Sequence, residues 1–242
     1  MPATFSPAKR GAATGILLAG AVLTAGCGTL QARLPDGFAA QATALAVTGH
    51  SPRRFNEPIR IGPYSALEMR EGATFSWSIP FGSVAVRRTS QRHAFTLVAR
   101  DQPPVEVQCL TRTTWAGAGS AVRRVEVDLT ALDGELMVCG LKLEGMPVQG
   151  MTLQPDGLGV AGTLDAPWGS YAIESLSHYQ GAKWRSGIPT GYRIASGGQT
   201  LAVVDVVNAG RVHLANAIDP EQRVYFAAAA AALLLLDPAL GE

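Results

Sequence analysis

Short runs in which apolar and polar residues alternate recur along most of this chain. From Thr74 to Ile79, the apolar Phe75, Trp77 and Ile79 alternate with threonine and serine. This alternation is the pattern of a half-buried β-strand, and similar runs follow at intervals of about ten residues. The predicted strands are residues 59–61, 74–79, 83–88, 94–100, 105–110, 122–129, 136–143, 151–153, 159–164, 170–176, 192–194, 201–207 and 212–214. This spacing is typical of an antiparallel meander that forms a sandwich or a barrel.

Some of these runs allow predictions about individual side chains. Phe95 and Leu97 are expected to face inward. The stretch 201–207 is apolar except for Asp205, so we expect a central strand that is buried on both faces. Asp133-Gly134 predicts a tight hairpin turn. The segment 38–47 fits either a short helix or a strand, because alanine suits both periods.

The C-terminal stretch breaks the alternation and predicts one helix over residues 219–236. Asp219 stands at the N-cap position, Pro220 at the first helical position, and Gln222 completes a capping box with Asp219. Asp237-Pro238 ends the helix, because a residue before proline disfavours the α conformation.

The body of this helix, Val224 to Leu236, has the hydroxyl of Tyr225 as its single polar side-chain group. A helix that is apolar on every face must be covered all round. Its thirteen residues rise roughly 20 Å, which is short of the roughly 30 Å hydrocarbon core of a bilayer. The sequence therefore predicts a mainly β fold, an antiparallel barrel-like meander of about twelve short strands around one hydrophobic C-terminal helix.

This order of elements resembles the tubby-like barrel, the fold of tubby, phospholipid scramblases and the LURP-one-related proteins. The stretches that carry the resemblance are Gly191–Ile194, Gln199–Val204 and Asp219–Asp237, within an overlap of about residues 55–240. The resemblance implies a closed barrel around a central helix. The phosphoinositide-binding and calcium-binding residues of some members have no recognisable counterpart here, so no site residue is transferred.

The N-terminus has the organisation of a secretory signal. Lys9-Arg10 precedes the apolar run Gly11–Ala25, and Leu23–Cys27 then reads Leu-Thr-Ala-Gly-Cys. These five residues resemble the lipobox of bacterial lipoproteins, with a threonine at the third position before the cysteine, where leucine is commoner. An ordinary signal peptide followed by a free cysteine is the alternative.

The lipobox resemblance implies that Cys27 is lipidated and becomes the mature N-terminus. Gly28 in the next position implies sorting to the outer membrane, with the protein facing the periplasm of a Gram-negative bacterium. We therefore expect a signal peptide at 1–26, a lipidated N-terminus and tether at 27–50, and a single β domain at 51–242 that ends in the helix. The predicted partner is the membrane, through the lipid on Cys27.

The charge balance argues against nucleic acid as a partner. Residues 1–26 hold two basic and no acidic residues, so the rest of the chain has 18 basic and 19 acidic residues and a formal charge of −1. A chain with this charge balance lacks the excess of basic residues that is typical of proteins that bind a polyanion.

Lipidation of Cys27 leaves an even pair of cysteines, Cys109 and Cys139, each inside a predicted strand. In an oxidising compartment such a pair forms a disulfide. A buried reduced pair is the alternative.

No catalytic or cofactor motif is recognisable. The chain lacks a G-x-S-x-G elbow, an H-E-x-x-H pair and a phosphate-binding loop. Its histidines, His50, His93, His178 and His213, stand singly, outside metal-ligand spacing. We therefore predict a non-enzymatic protein without metal or cofactor. A hydrolase with a dispersed Ser-His-Asp triad remains a less favoured alternative, because a triad is recognised by geometry rather than by sequence order.

A possible binding surface is indicated by tryptophan and paired arginines. Trp168 and Trp184 lie in turn-like surroundings, where they would either mark a contact surface or cap the barrel. Arg87-Arg88, like Arg53-Arg54 and Arg123-Arg124, would either face anionic lipid head groups or end solvated loops.

These observations favour a membrane-anchored periplasmic lipoprotein with a non-catalytic binding or envelope-structural role. Its partner would be an envelope protein or a lipid. The alternative is a carrier of a lipid or small hydrophobic ligand, with the apolar interior of the barrel partly open to that ligand.

Overall fold

The computed structural model describes residues 29–49, 58–72, 75–81, 84–120, 123–128, 136–157 and 159–236. In this part of the chain there are fourteen strands: β1 (Ala42–Thr48), β2 (Arg60–Ile61), β3 (Tyr64–Glu71), β4 (Phe75–Phe81), β5 (Val84–Val98), β6 (Val105–Ser120), β7 (Arg123–Asp128), β8 (Met137–Leu143), β9 (Gln149–Asp156), β10 (Gly159–Ala166), β11 (Gly169–Leu176), β12 (Gly191–Ser196), β13 (Gln199–Asp205) and β14 (Arg211–Ala215). A 3-10 helix η1 (Phe38–Gln41) precedes β1, and the helix α1 (Pro220–Leu234) follows β14.

Twelve of these strands close into an antiparallel barrel. Around the barrel their order is β1-β2-β3-β5-β6-β8-β9-β10-β11-β12-β13-β14, which follows the chain. The ring closes where β14 pairs with β1, from Ala42 opposite Ala215 to Ala46 opposite Arg211. The predicted mainly β meander of about twelve strands is thus confirmed, and its closure leaves the barrel no unpaired edge.

β4 and β7 do not belong to the ring but extend it. β5 and β6 pair along almost their whole length, from Val84 opposite Ala118 to Leu97 opposite Val105. Their outer halves lie beyond the barrel and are flanked by β4 and β7. The result is a four-stranded extension, β4-β5-β6-β7. The two strands predicted at 83–88 and 94–100 are therefore one long strand. Phe95 and Leu97 on it are buried, as expected.

The alternating strand directions define two ends of the barrel. At the entry end, where α1 begins, lie the turns at 62–63, 99–104, 144–148, 167–168, 197–198 and 216–219. At the exit end lie the loop 177–190, the turn 206–210 and the four-stranded extension. Gly210 lies against Leu234 of α1, which places the end of the helix there.

The helix α1 begins as the sequence predicts. Asp219 is the N-cap: its Oδ1 accepts a hydrogen bond of 2.8 Å from the backbone N–H of Gln222, and the Gln222 side chain accepts one of 3.3 Å from the backbone N–H of Asp219. The helix ends at Leu234, two residues before the predicted end. Asp237-Pro238 lies outside the described residues.

The helix occupies the interior of the barrel. Its residues from Val224 to Leu234 are all buried, including six successive alanines. A ring of twelve strands is wider than its own inward side chains can fill, and α1 supplies the missing core. Among the described residues, no helix is long and apolar enough to cross a membrane.

The predicted disulfide is present. Cys109 on β6 and Cys139 on β8 stand directly opposite each other and are bonded, with their Cα atoms 4.1 Å apart. Both are buried, so the bond is part of the inner wall of the barrel.

The N-terminal strap, residues 29–41, is docked on the barrel from the exit end to the entry end, where the carbonyl of Gln41 accepts a hydrogen bond of 2.7 Å from the N–H of Asn216. It is bonded to the loop 177–190: the N–H of Arg33 donates to the carbonyl of His178, and the N–H of Gln180 donates to the carbonyl of Gln31, both at 2.8 Å. The Asn208 side chain donates a hydrogen bond of 2.7 Å to the carbonyl of Leu30.

The strap then leads directly into the barrel. At its end, η1 packs against β1 and β14, and Phe38 is buried there. Residues 38–47, whose sequence fits either a short helix or a strand, form a 3-10 helix followed by a strand. Of the range 27–50 assigned to a tether, residues 29–41 are docked and residues 42–48 form the barrel strand β1.

β13 is central and buried on both faces, as predicted. Ala202, Val203 and Val204 are inaccessible to solvent. Asp205 at its end is buried and accepts hydrogen bonds from the backbone N–H groups of Val207, at 2.9 Å, and of Ala32 in the strap. Burial raises the pKa of Asp205, and these two hydrogen bonds oppose that rise.

Candidate functional site

A groove of about 780 Å³ lies on the outside of the barrel. It crosses β3, β5, β6 and β8. On β6 the buried residues alternate with the outward ones, Glu106, Gln108, Leu110 and Arg112. The strand register then sets the outward residues of neighbouring strands side by side, as with Gln108 between Ala94 and Gly140.

Four cationic side chains surround this groove, which we call the basic groove. Arg70 comes from β3, Arg92 from β5, Arg112 from β6 and Lys142 from β8, and all four are exposed. Within the described residues, none of the four has an ion-pair partner. Glu106 is the acidic residue that lines the same groove. The basic groove thus carries a local excess of positive charge on a chain whose overall charge is near zero.

Small residues line part of the groove. Ala94 and Gly140 lie on either side of Gln108, where larger outward side chains would narrow the depression. A Cβ atom placed on Gly140 would lie 3.1 Å from Cγ1 of Val148, so the neighbouring side chain already closes over this glycine. A smaller recess of about 220 Å³ adjoins the groove and includes Glu68.

One wall of the basic groove is apolar. Leu110, Val138 and Val148 line it, and both valines are exposed. An apolar wall beside a set of cations has the character of a site for an amphiphile, with a charged group on one side and hydrocarbon on the other. Arginine forks suit phosphate, because they donate two parallel hydrogen bonds to it.

The wall behind the groove contains polar groups without partners. His93 belongs to the groove lining and is buried. In the described part of the chain, neither ring nitrogen of His93 has a hydrogen-bond partner, and the same holds for the hydroxyl of the nearby Thr111. Burial lowers the pKa of His93, so its neutral form is favoured. Unpartnered polar groups of this kind are costly and mark a place where a further donor or acceptor would be stabilised.

Trp168, one of the predicted surface residues, caps the entry end of the barrel. It lies in the turn between β10 and β11, and its ring meets that of Tyr225 edge-on, with 5.5 Å between centroids. Trp168 is partly buried, so much of its ring contributes to packing over the core.

Trp184 is at the other end and is the more exposed of the two. It lies in the loop 177–190 at the exit end, between the exposed Lys183 and Arg185. The structure therefore does not bring Trp168 and Trp184 together.

Arg87 and Arg88 lie on β5 in the four-stranded extension, opposite Trp115 and Thr114 of β6. Their side chains fall outside the described part of the structure, as do Cys27 and Arg53-Arg54. On the ring, β5 is five strands away from β11, where Trp168 precedes the strand and Trp184 follows it. The four residues of the predicted surface thus sit on different parts of the molecule.

The described histidines show no catalytic arrangement. His93 and His213 are buried, and burial lowers the pKa of both; Arg211 lowers that of His213 further. Across the described ranges, no three His, Cys, Asp or Glu side chains are grouped so as to hold a metal ion. Within these ranges, nothing positive indicates catalysis.

Sequence reasoning did not find the basic groove. Its cations stand singly in four strands, whereas the surface predicted from the sequence was based on paired arginines. The usable signal was their position: Arg70, Arg92, Arg112 and Lys142 fall at outward positions in their strands. Strand register, which the sequence does not specify, was needed to show that these positions are neighbours.

Comparisons of this chain with protein-family models, with curated proteins and with solved structures found no match.

Proposed function

We propose that this chain is a non-catalytic, membrane-anchored lipoprotein of the bacterial envelope, and that its barrel binds a phosphate-bearing amphiphile in the basic groove. The observation that carries the proposal is the set of four cations around one groove, none of which has an ion-pair partner among the residues that the structure describes. Surface cations without a partner are ordinary when scattered, but four from four strands around one concavity form a site for an anion.

The chemistry of the groove narrows the ligand class. Arg70, Arg92 and Arg112 supply planar guanidinium donors, and Lys142 supplies a compact charge; together they suit a phosphate group. The exposed valines Val138 and Val148 suit an attached hydrocarbon chain. A phospholipid with an anionic head group combines both features.

A ligand site on the outer surface also agrees with the presence of α1 inside the barrel. The alternative of a carrier requires room inside the barrel, but α1 lies in the interior and its six successive alanines are at most 1% exposed. A lipid ligand would therefore bind on the outer surface rather than within.

The location of the protein is proposed from the sequence. The signal-like N-terminus and the lipobox resemblance at Cys27 support an anchored envelope protein. The disulfide between Cys109 and Cys139 supports an oxidising compartment. Outer-membrane sorting rests on Gly28 alone.

The binding proposal is tested by native mass spectrometry of the full mature protein in a non-ionic detergent. Dihexanoyl phosphatidylglycerol serves as the anionic probe, and dihexanoyl phosphatidylcholine has the same chains with a zwitterionic head group. We expect one phosphatidylglycerol per protein, at a concentration well below that needed for phosphatidylcholine. An Arg92→Gln/Arg112→Gln variant should weaken this binding tenfold or more, because a charge-assisted hydrogen bond contributes about 1.5–3 kcal/mol.

The matched control removes two cations from other places. Arg60 lies on β2 and Arg100 in the turn between β5 and β6; both are exposed and neither lines the groove. An Arg60→Gln/Arg100→Gln variant should bind the probe as the unchanged protein does. Equal losses in the two variants, or equal binding of the two lipids, would contradict the proposal.

Lipidation is tested on the same preparation. The intact mass should correspond to residues 27–242 plus a diacylglyceryl group and an amide-linked acyl chain. A mass without these groups would contradict the proposed lipid anchor. The proposed ligand site in the basic groove would still be tested by the binding experiment.

A further inference from the structure

The exit end of the barrel presents apolar side chains on two segments that are bonded to each other. The strap and the loop 177–190 are joined by the bridge between Ala32 and Tyr179 and by the backbone hydrogen bonds on either side of it. These bonds hold Leu30 and the loop on the same end of the barrel. The turn 206–210 fixes the strap from the other side, through Asn208.

The exposed residues on these segments have the composition of a membrane interface. Trp184 is 69% exposed, Leu30 58% and Ile188 55%, so large apolar surfaces face outward. Lys183 and Arg185 flank the tryptophan and are exposed as well. Tryptophan favours the boundary between head groups and hydrocarbon, and cations beside it are attracted to anionic lipids. We call these five residues the exit-end surface.

We propose that the exit-end surface lies on an anionic bilayer and fixes the orientation of the barrel, with the side chain of Trp184 at the level of the lipid head groups. This inference rests on the proposed lipidation of Cys27. From Cys27 to Leu30 is three residues, which span at most about 10 Å when fully extended. Because Leu30 is held by Asn208, the lipid would keep the exit end within that distance of the membrane.

The orientation has consequences for the rest of the molecule. The four-stranded extension leaves the barrel at this same end. Of its two outer strands, β4 contains no charged residue, whereas β7 contains Arg123, Arg124, Glu126 and Asp128. Arg112 of the basic groove lies one residue past Thr111, the last residue of β6 that pairs with β8, and so at the exit-end rim. The groove would thus open close to the lipids that the proposed function requires as ligands.

The test uses the full mature protein reconstituted into vesicles of phosphatidylcholine and phosphatidylglycerol, with bromine at different depths of the acyl chains as a quencher. The signal of Trp184 is the fluorescence difference between the unchanged protein and Trp184→Phe, because the chain has four tryptophans. We expect shallow bromine to quench this difference at least about twofold more strongly than deep bromine. Equal fluorescence changes in the two proteins would overturn the proposal.

Two further variants make the result specific. In Lys183→Glu/Arg185→Glu, reversed charges should reduce the quenching of Trp184 while the protein stays with the vesicles. In Trp184→Phe/Met146→Trp, the tryptophan moves to the exposed turn 144–148 at the entry end and should not be quenched. Quenching of that variant as strong as that of Trp184 would overturn the orientation.

Flotation of the vesicles separates this inference from the proposed function. A protein that floats, but whose Trp184 is unquenched, overturns the orientation and leaves the lipid anchor intact. A protein that stays in the soluble fraction overturns the anchor and the orientation together.

Discussion

The hydroxyl of Tyr225 donates a hydrogen bond of 2.6 Å to the backbone carbonyl of Asp165, at the end of β10. It joins the central helix to the barrel wall through the one polar group in an otherwise apolar stretch of helix. Burial is the main cause that raises the pKa of Tyr225, so the hydroxyl keeps its proton as a donor.

Replacing Tyr225 by Phe should destabilise the protein by about 1 kcal/mol, because it leaves the buried carbonyl of Asp165 without this donor. Denaturation by urea measures the change in the free energy of unfolding. Tyr179→Phe is the matched control, since Tyr179 is only partly buried. An equal decrease in the free energy of unfolding of both variants would show that the hydrogen bond of Tyr225 does not contribute the expected stability.

Enlarging an alanine of α1 should be poorly tolerated. Ala229 is inaccessible to solvent in the middle of the helix, with strands around it. Ala229→Phe should cost at least about 1–3 kcal/mol, which is typical of overpacking a dense core. Ala172→Phe, at an exposed position of β11, is the control and should change stability by less than about 0.5 kcal/mol. Thermal unfolding of the two variants compares them, and an unaffected Ala229→Phe would mean that the helix is loosely packed.

Removing the disulfide should lower stability strongly. The bond joins residues separated by 30 positions, and the chain-entropy model gives a stabilisation of roughly 3.5 kcal/mol for a loop of this size. A Cys109→Ala/Cys139→Ala variant should therefore unfold at a lower urea concentration. Added reductant should shift the unchanged protein in the same direction and leave the variant where it is. A variant with an unshifted midpoint would contradict this expectation.

Asp205 should control how firmly the strap is docked. Its carboxylate accepts backbone hydrogen bonds from Ala32 and Val207. Asp205→Ala leaves both buried donors unpaired, whereas Asp205→Asn keeps an acceptor oxygen. We expect trypsin to cleave after the exposed Arg33 faster in Asp205→Ala than in Asp205→Asn or the unchanged protein. Equal cleavage rates would mean that the strap is held by its other bonds.

Two buried histidines should make the fold sensitive to acid. Burial lowers the pKa of His93 and of His213 below its ordinary value of about 6.5. Below that pH the unfolded chain binds protons that the folded chain resists, so stability falls as the pH decreases. Melting temperatures between pH 7.5 and 5 should therefore drop more for the unchanged protein than for His93→Gln/His213→Gln.

The comparison between those two proteins also separates the effect of the histidines on stability from that of Asp205. The raised pKa of Asp205 acts in the opposite direction, since its contribution to stability is present at low pH and lost as the pH rises through the folded-state pKa. Asp205 is common to both proteins, so their difference reports the histidines alone. Equal drops in melting temperature in the two proteins would contradict the expectation.

The local features of the fold could be predicted because each depends on neighbours in sequence. The capping box of Asp219 and Gln222 involves residues three apart, and the apolar body of α1 shows by itself that it must be covered. Phe95 and Leu97 could be assigned to the interior from alternation alone. The length of β5 could not, because whether 83–88 and 94–100 join depends on the partner strand β6, which runs beside both.

By itself, the sequence determined the fold class and the central helix, and it favoured the pairing of Cys109 with Cys139 over a buried reduced pair. Only the tertiary structure decided the closure of β14 on β1, the docking of the strap and the basic groove. The physical reason is the range of the interactions: Arg70 and Lys142 are 72 positions apart, and strand register alone makes them line one groove. Register depends on which strands pair and on the turns between them, so no single short stretch of sequence reveals it.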